Sequence, residues 1–320
     1  MPIGEFELIA RYLARPVGKQ SGVQLGIGDD AAILDVRPDR KLVVAIDTIV
    51  EGVHFPANTT PADIGYRALA VNLSDLAAMG AEPAWFTLSL SLPQSEESWL
   101  EQFASGLFKL ADAYDMELVG GDTVKGPLVI TVQVAGWVEA DRWLTRTGAK
   151  VGDAIVVSGV PGEAAGGLAA LSREMASTES VEWLRERFLK PTPRISLGRA
   201  IRTFATSAMD ISDGLLTDLD KLCAGAYVGA SVDIDWLPVS AALHDTFAAE
   251  ECLDFTLAGG DDYELLFTVS PADLPRLANL PTPCAVIGEI TAEQAVVCRK
   301  SNEIVEVKRR GYDHFREADR

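Results

Sequence analysis

Val71-Asn72-Leu73-Ser74-Asp75-Leu76-Ala77-Ala78-Met79-Gly80-Ala81 reads as a core helix carrying one residue foreign to a core. Upstream, Thr60-Pro61-Ala62-Asp63 supplies a helix start: a hydroxyl cap, proline in the first turn and an acid beside the positive helix end. Gly80 fits the stop, where a left-handed residue is least strained as glycine. Steps of three, four and seven place Asp75 on one face with Ala68, Val71, Asn72, Ala78 and Met79, so its carboxylate is expected to point toward packed surface. A charge there needs a partner. Backbone amides or an arginine would serve, and so would a divalent cation.

With 320 residues the chain can bury a large core and is expected to form two domains, 1–148 and 149–320, parted near the polar, glycine-bearing stretch 142–153. Asp and Glu number 47 against 28 Lys and Arg, a formal charge of −19 that disfavours nucleic acid or an anionic membrane as partner. An acidic protein can still bind phosphates if metal ions offset the repulsion. The acidic start and the lack of a spanning apolar run point to the cytoplasm. Cys223, Cys252, Cys284 and Cys298 have no paired spacing, so reduced packing cysteines are expected, and three histidines make a histidine-rich metal site a poor candidate.

Residues 3–14 have helical periodicity. Leu25-Gly26-Ile27-Gly28-Asp29-Asp30-Ala31-Ala32 superficially matches a dinucleotide-binding fingerprint. Asp29 and Asp30 would stand where a pyrophosphate approaches bare amides, and the flanking strand-helix-strand pattern is missing; an acidic turn or a metal-binding loop remains. Residues 42–46 read as a strand buried on both faces, ending on Asp47, with His54 in the following loop. Residues 85–92 alternate, with Phe86, Leu88, Leu90 and Leu92 on one face and Thr87, Ser89 and Ser91 on the other. A long amphipathic helix from Leu100 to Tyr114 is interrupted by Ser105-Gly106, which lets either a packed backbone or a ligand come close.

Gly120-Gly121-Asp122-Thr123 is expected at a strand end, and residues 128–138 form a further strand. In the second half come a strand at 154–158, a glycine-rich helix start at 159–167, a polar helix over 177–193 and another helix over 193–206. Met209-Asp210-Ile211-Ser212-Asp213-Gly214 then places two carboxylates and a hydroxyl at a helix entrance. Gly259-Gly260-Asp261-Asp262-Tyr263-Glu264 leads into a strand at 265–269, and the tail carries short strands and the aromatics Tyr312 and Phe315. Leu73-Ser74-Asp75 precedes Gly120-Gly121-Asp122 by 47 positions, and Ile211-Ser212-Asp213 precedes Gly259-Gly260-Asp261 by 48. Either the two halves repeat a helix-and-turn element, or short motifs coincide.

No phosphate-binding Gly-x-x-x-x-Gly-Lys loop, protein-kinase catalytic loop or nucleophile elbow is present. Asp30, Asp47, Asp75, Asp122, Asp210 and Asp213 fall instead at turns, strand ends and one odd helix position. Gathered together, such carboxylates would repel one another unless divalent cations intervened. Magnesium takes hard oxygen ligands and completes its shell with water and substrate phosphates, which suggests phosphoryl transfer.

The ordered set Gly28-Asp29-Asp30-Ala31-Ala32, Asp47 with Glu51-Gly52-Val53-His54-Phe55, Asn72 to Ala81, Gly120-Gly121-Asp122-Thr123, Thr145-Arg146-Thr147-Gly148-Ala149, Asp210 to Leu215 and Gly259 to Leu265 resembles the bacterial thiamine-monophosphate kinases. The likeness runs from about residue 4 to 315. It implies an α/β (α+β) fold of the two-domain aminoimidazole ribonucleotide synthetase type, a homodimer joined through its N-terminal sheets, and an ATP site between the domains. It also implies magnesium-assisted phosphorylation of thiamine monophosphate by ATP to thiamine diphosphate. By position, Asp30, Asp47, Asp75, Asp122, Asp210 and Asp213 would hold several magnesium ions, with Asp75 bridging; Ser105, Gly121, Asp122, Arg146 and Ser212 would address ATP. His54, Asp262 and Tyr312 would line the thiamine phosphate pocket, with Asp261, Tyr263 and Glu264 nearby, and an aromatic face such as that of Tyr312 suits a cationic ring. Relatives often carry hydroxyls just before the position of Asp47, whereas Ala45 and Ile46 stand here, so a metal contact would use backbone oxygen. A selenophosphate synthetase would want an N-terminal cysteine and a hydrogenase maturation factor a C-terminal one; neither is found. Aminoimidazole ribonucleotide synthetase and a non-catalytic nucleotide or metal sensor are the alternatives.

Overall fold

A helical turn, α1 (Glu5–Leu8), continued by a wider π turn to Leu13, opens the computed structural model, which describes residues 4–16, 18, 22–307, 311 and 312. Two units follow from the packing, one of Met1–Leu76 with Ala81–Asp141 and one of Ala77–Gly80 with Arg142–Arg320.

In the first unit β1 (Val23–Leu25) and β2 (Ile33–Leu34) pair antiparallel around the Gly28-Asp29-Asp30 loop, with no helix between them. This is not the dinucleotide-binding arrangement. There follow β3 (Arg40–Val50), α2 (Pro61–Ala78), β4 (Glu82–Leu92), α3 (Glu97–Ala113), β5 (Glu117–Lys125) and β6 (Val129–Glu139). Among the described residues the sheet runs β3-β6-β4-β5, antiparallel except for β4 beside β5, which α3 joins as a crossover.

α2 has the ends its sequence requires. Thr60 Oγ1 accepts from the Asp63 N–H at 3.2 Å and donates to the Asp63 carboxylate at 2.7 Å. At the other end Gly80 adopts φ +67°, and bonds from Gly80 N to Ala77 O and from Ala81 N to Leu76 O close the last turn. Leu69, Ala70, Leu73, Leu76 and Ala77 are all buried beside the expected face, so the helix is enclosed nearly all round. α3 lies directly on it. A Cβ on Gly106 would sit 1.8 Å from the Ala62 carbonyl oxygen, and one on Gly65 2.1 Å from that of Phe103, so packing explains the small residues.

β4 alternates as its sequence predicts, with Phe86, Leu88, Leu90 and Leu92 buried. β3 corrects the sequence reading. Its apolar run is not buried on both faces: Leu42, Val44 and Ile46, on one face of the strand, are 49%, 55% and 63% exposed, because that face is uncovered among the described residues, where β3 is an edge strand beside β6. Nor does Gly120-Gly121-Asp122 end a strand, since β5 continues to Lys125.

The second unit contains β7 (Ala154–Ser158), α4 (Glu163–Ser172), α5 (Glu179–Leu189), α6 (Ile195–Ile201), β8 (Ala205–Asp210), α7 (Leu215–Ala226), β9 (Gly229–Asp233), α8 (Ala241–Thr246), α9 (Ala249–Ala258), β10 (Leu265–Val269), β11 (Cys284–Thr291), β12 (Val296–Lys300) and β13 (Glu303–Val305). Its sheet has the order β13-β12-β9-β11-β7-β10-β8 among the described residues, antiparallel except for β9 beside β12. Helix α6 stops at Ile201, short of the expected 206, where the chain turns into β8. One apolar cluster holds α7 on the sheet through Leu215, Leu219, Leu222, Ile155 and Leu266; another joins α4, α5, α8 and α9 through Ala170, Leu184, Leu243 and Cys252. None of the four cysteines forms a disulfide among the described residues, and burial pushes the thiols of Cys223 and Cys284 up to about 12, which leaves them as packing groups.

The internal echo does not survive. Asp75 lies inside a helix whereas Asp213 precedes one, and Asp122 lies within a strand whereas Asp261 sits in a loop before one.

Candidate active site

In the first unit β3 and α2 bring one group of candidates together. The Asp47 N–H donates to Asn72 Oδ1 at 2.9 Å, while Asn72 Nδ2 donates to the Ala68 carbonyl at 2.9 Å, so the amide is fixed from both ends. Asp75 follows Asn72 by one helical turn and is half-buried; Asp47 is exposed. Successive carbonyls of a strand point to opposite sides, so one of Ala45 and Ile46 turns its oxygen toward the open edge of β3. Beyond β3 the chain folds back on itself, and the Val50 N–H donates to His54 Nδ1 at 3.1 Å. That bond makes Nδ1 an acceptor and leaves Nε2 as the ring's donor.

Asp122 is exposed on β5 and stands opposite Ser89 of β4. Gly121 beside it adopts φ +157°, and a Cβ there would meet the Leu88 carbonyl oxygen at 1.8 Å, so strand packing requires this glycine. Asp30 is exposed on the β1–β2 loop, where its N–H bonds to Asp29 Oδ1 at 2.9 Å. Ser105 is exposed on the outer face of α3.

In the second unit two loops at the ends of β8 and β10 are laced together. Ile211 N bonds to Glu264 O, Tyr263 N to Ile211 O and Asp261 N to Ser212 O, each at 2.8 Å. The N–H of Tyr312 reaches the Asp213 carbonyl at 2.9 Å, and Tyr263 Oη donates to Asp261 Oδ1 at 3.2 Å. Ser212, Asp213, Asp261, Tyr263 and Tyr312 therefore share one neighbourhood. Arg146, exposed, follows Thr145, whose carbonyl accepts from Ala208 of β8, the strand that ends at buried Asp210.

Within the 261–264 loop the side chains divide. Asp261 and Tyr263 occupy left-handed backbone, φ +70° and +51°, and are half-exposed. Asp262 and Glu264 point inward. The Asp262 carboxylate accepts from Gly162 N at 2.6 Å and Ala164 N at 3.1 Å; burial nevertheless raises its pKa to about 8, and the Glu264 charge adds to the rise. Glu264 is fully buried and held by Ser158 at 2.5 Å, by Arg187 at 2.8 Å and by two bonds from Arg194, one of them at 2.7 Å. The turn 212–214 is gripped in turn by buried Asp218, whose Oδ2 accepts from all three of its backbone N–H groups, and Lys221 joins Asp218 to Asp213.

The donor set suits magnesium in kind: carboxylates, exposed or half-buried except for buried Asp210, without thiol or paired imidazole. No three His, Cys, Asp or Glu side chains form a ready-made cation cage among the described residues. A magnesium site commonly uses one or two carboxylates with water and phosphate oxygens.

Residues 28–138 match the AIR synthase related protein, N-terminal domain, and residues 150–300 the AIR synthase related protein, C-terminal domain. Thiamine-monophosphate kinase of Escherichia coli (strain K12) is 46% identical over 322 residues, which cover 98% of this chain and 99% of that protein. The chain belongs to the thiamine-monophosphate kinase family. The crystal structure of thiamine-monophosphate kinase from Stenotrophomonas maltophilia K279a matches with a TM-score of 0.86 at 46% identity, covering 95% of this chain and 99% of that one. AaThiL complexed with AMPPCP and TMP matches at 0.79 and 33%, covering 90% and 92%.

For a thiamine-monophosphate kinase family member, sequence reasoning overlooks the residues that hold the loops. Asn72 stands in the same helical stretch as Asp75, and its spacing of three from that carboxylate is the signal the sequence offers. Asp218 follows Asp213 by five residues inside a helix, where an acid reads as ordinary first-turn charge. Nothing local in the sequence links Arg187 and Arg194 to Glu264, some 70 residues away or more. Of the tail, 308–310 and 313–320, including His314 and Phe315, lie outside the described residues.

Proposed function

We propose that this protein transfers the γ-phosphoryl group of ATP to the phosphate of thiamine monophosphate, releasing ADP and thiamine diphosphate. The observation that carries this reading is near full-length identity of 46% to a thiamine-monophosphate kinase. A structure of a more distant relative complexed with AMPPCP, an ATP analogue, and TMP supports it.

The acceptor is already an anionic phosphate oxygen, so no general base is required, and direct in-line attack without a phosphoenzyme is the economical route. Asp30, Asp47, Asp75, Asp122, Asp210 and Asp213, with backbone oxygen from Ala45 or Ile46, are the oxygen donors assigned to magnesium. Bound magnesium neutralises phosphate charge and relieves the repulsion among these carboxylates. Arg146 offers a forked cation to phosphate oxygens. Gly121 and Asp122, the Ser212 hydroxyl and, at the margin, Ser105 address the nucleotide. On the acceptor side His54 donates through Nε2, Asp261 and Tyr263 contact the thiamine phosphate, and the Tyr312 ring faces the cationic thiazolium. Asp262 and Glu264, spent on internal bonds, keep that loop in shape.

On this reading residues 1–148 are the ATP-, metal-binding and dimerisation domain, and 149–320 the C-terminal domain, which adds Ser212 to the ATP contacts and Asp261, Tyr263 and Tyr312 to the substrate contacts. A homodimer through the first sheet is supported by the apolar row Leu42, Val44 and Ile46 left uncovered on β3. No helix among the described residues is long and apolar enough to cross a membrane, and the cytoplasm is the compartment this reading assigns.

Incubation with ATP, magnesium and thiamine monophosphate tests the reading by chromatography of the product. Thiamine diphosphate is expected, with label from the γ-phosphate never resting on the protein. Asp75→Asn is expected to stay folded and lose roughly 100-fold or more in kcat. Folded wild-type protein that binds ATP and makes no thiamine diphosphate would instead indicate a sensor.

A further inference from the structure

We infer that Asp218, anchored by Lys221, is the positioning residue that sets the Ser212-Asp213-Gly214 turn for the nucleotide. The inference rests on the assignment of Ser212 to ATP made above.

Asp218 is fully buried, and its Oδ2 accepts from the N–H groups of Ser212 at 2.9 Å, Asp213 at 2.9 Å and Gly214 at 3.2 Å. Its Oδ1 receives Lys221 Nζ at 2.7 Å, and the same ammonium bonds Asp213 Oδ2. An ordinary helix cap lies before the helix and accepts from its first amides. Here the geometry is reversed: the acceptor lies inside α7 and reaches back to the turn that precedes it. What it orders is the turn. The turn needs ordering, because Gly214 adopts φ +121°, a conformation that only glycine takes readily, and a Cβ there would press on the Ala258 carbonyl at 2.8 Å. A buried ionised carboxylate is tolerated only when its lone pairs are answered, and three amides with one ammonium answer them. Asp218 itself is thereby too enclosed and too fully bonded to be a cation ligand.

The turn's other side carries the acceptor residues. Ser212 O and Asp213 O accept from the backbones of Asp261 and Tyr312, while the N–H side belongs to Asp218. Fixing the three N–H groups fixes the main chain from which the Ser212 hydroxyl and the Asp213 carboxylate project, and Lys221 holds the carboxylate.

Asp218→Asn keeps the size and removes the charge that binds three donors at once. The expected result is a KM for ATP raised about tenfold, as loss of charge-assisted bonds predicts, with the KM for thiamine monophosphate changed by less than about twofold. Amide exchange at residues 212–214 should accelerate by a similar factor. A merely structural role would lower the melting temperature and the active fraction, leaving the ATP KM and the turn's exchange as in wild type, and that result overturns the inference. If Asp218→Asn does not fold, Lys221→Met, whose parent side chain is 39% exposed, carries the test with the same two readouts. Unchanged values in that variant overturn it equally. Should wild-type protein fail to make thiamine diphosphate, the functional reading falls by itself, and calorimetric ATP binding with amide exchange still decides the role of Asp218.

Discussion

Asp262 is a carboxyl group kept where water cannot reach it. Burial raises its pKa to about 8 against the two backbone amides that favour its charge. Between the unfolded value near 4 and about 8 the folded chain therefore holds a proton that the unfolded chain releases, so stability falls as pH rises through that window. Asp262→Asn cannot lose a proton and should flatten the slope of melting temperature between pH 5 and 8; a slope as steep as wild type would assign the dependence elsewhere. The family resemblance puts Asp262 in the pocket lining and Asp261 only nearby, whereas in the structure Asp262 is buried and Asp261 half-exposed. Only the left-handed backbone at 261 and 263 separates them, sending alternate side chains outward and inward. Such a choice is made by tertiary contacts with Gly162 and Ala164, about 100 residues away, and no local signal announces it.

Elements proved more legible than residues wherever their signals were local. α2 begins and ends where its hydroxyl, proline and glycine require, because capping is settled within a few residues. β3 is less legible for the complementary reason: an apolar run reports side-chain character, and whether a layer covers each face of the strand is fixed elsewhere. Ser105-Gly106 was ambiguous between ligand and packing until the Ala62 carbonyl was found against Gly106. Gly106→Ala should push α2 and α3 apart and cost about 1–3 kcal/mol of stability, read as a lower midpoint in urea. Ser105→Ala, on the exposed face of the same helix, serves as the control. A Gly106→Ala midpoint equal to wild type would mean that the helices separate without penalty.

At the scale of the molecule, the order of motifs along the chain carried the family, and the family carried the fold, whereas composition bounded only the class of partner. Assembly is the property least visible in one chain. If the proposed dimer forms through the uncovered row on β3, Val44→Lys is expected to fold yet elute and scatter as a monomer while wild type does so as a dimer, since a lysine on an exposed edge is tolerated by the strand and not by a partner. A wild type already monomeric would remove the dimer from the reading. The lacing of the 212–214 turn has a consequence for how such an enzyme can change. Asp261 and Tyr312 hold the turn through main-chain N–H groups, which every residue but proline possesses. Those main-chain bonds do not depend on the identity of the side chains, apart from the preference of position 261 for residues that accept φ +70°, while the Asp261 carboxylate also accepts from Tyr263 Oη. On the acceptor contacts proposed for Asp261 and Tyr312, substitution at these two positions would shift acceptor preference while the main-chain bonds keep the 212–214 turn in shape, which makes this corner of the fold a place for selection, natural or in the laboratory, to try new substrates.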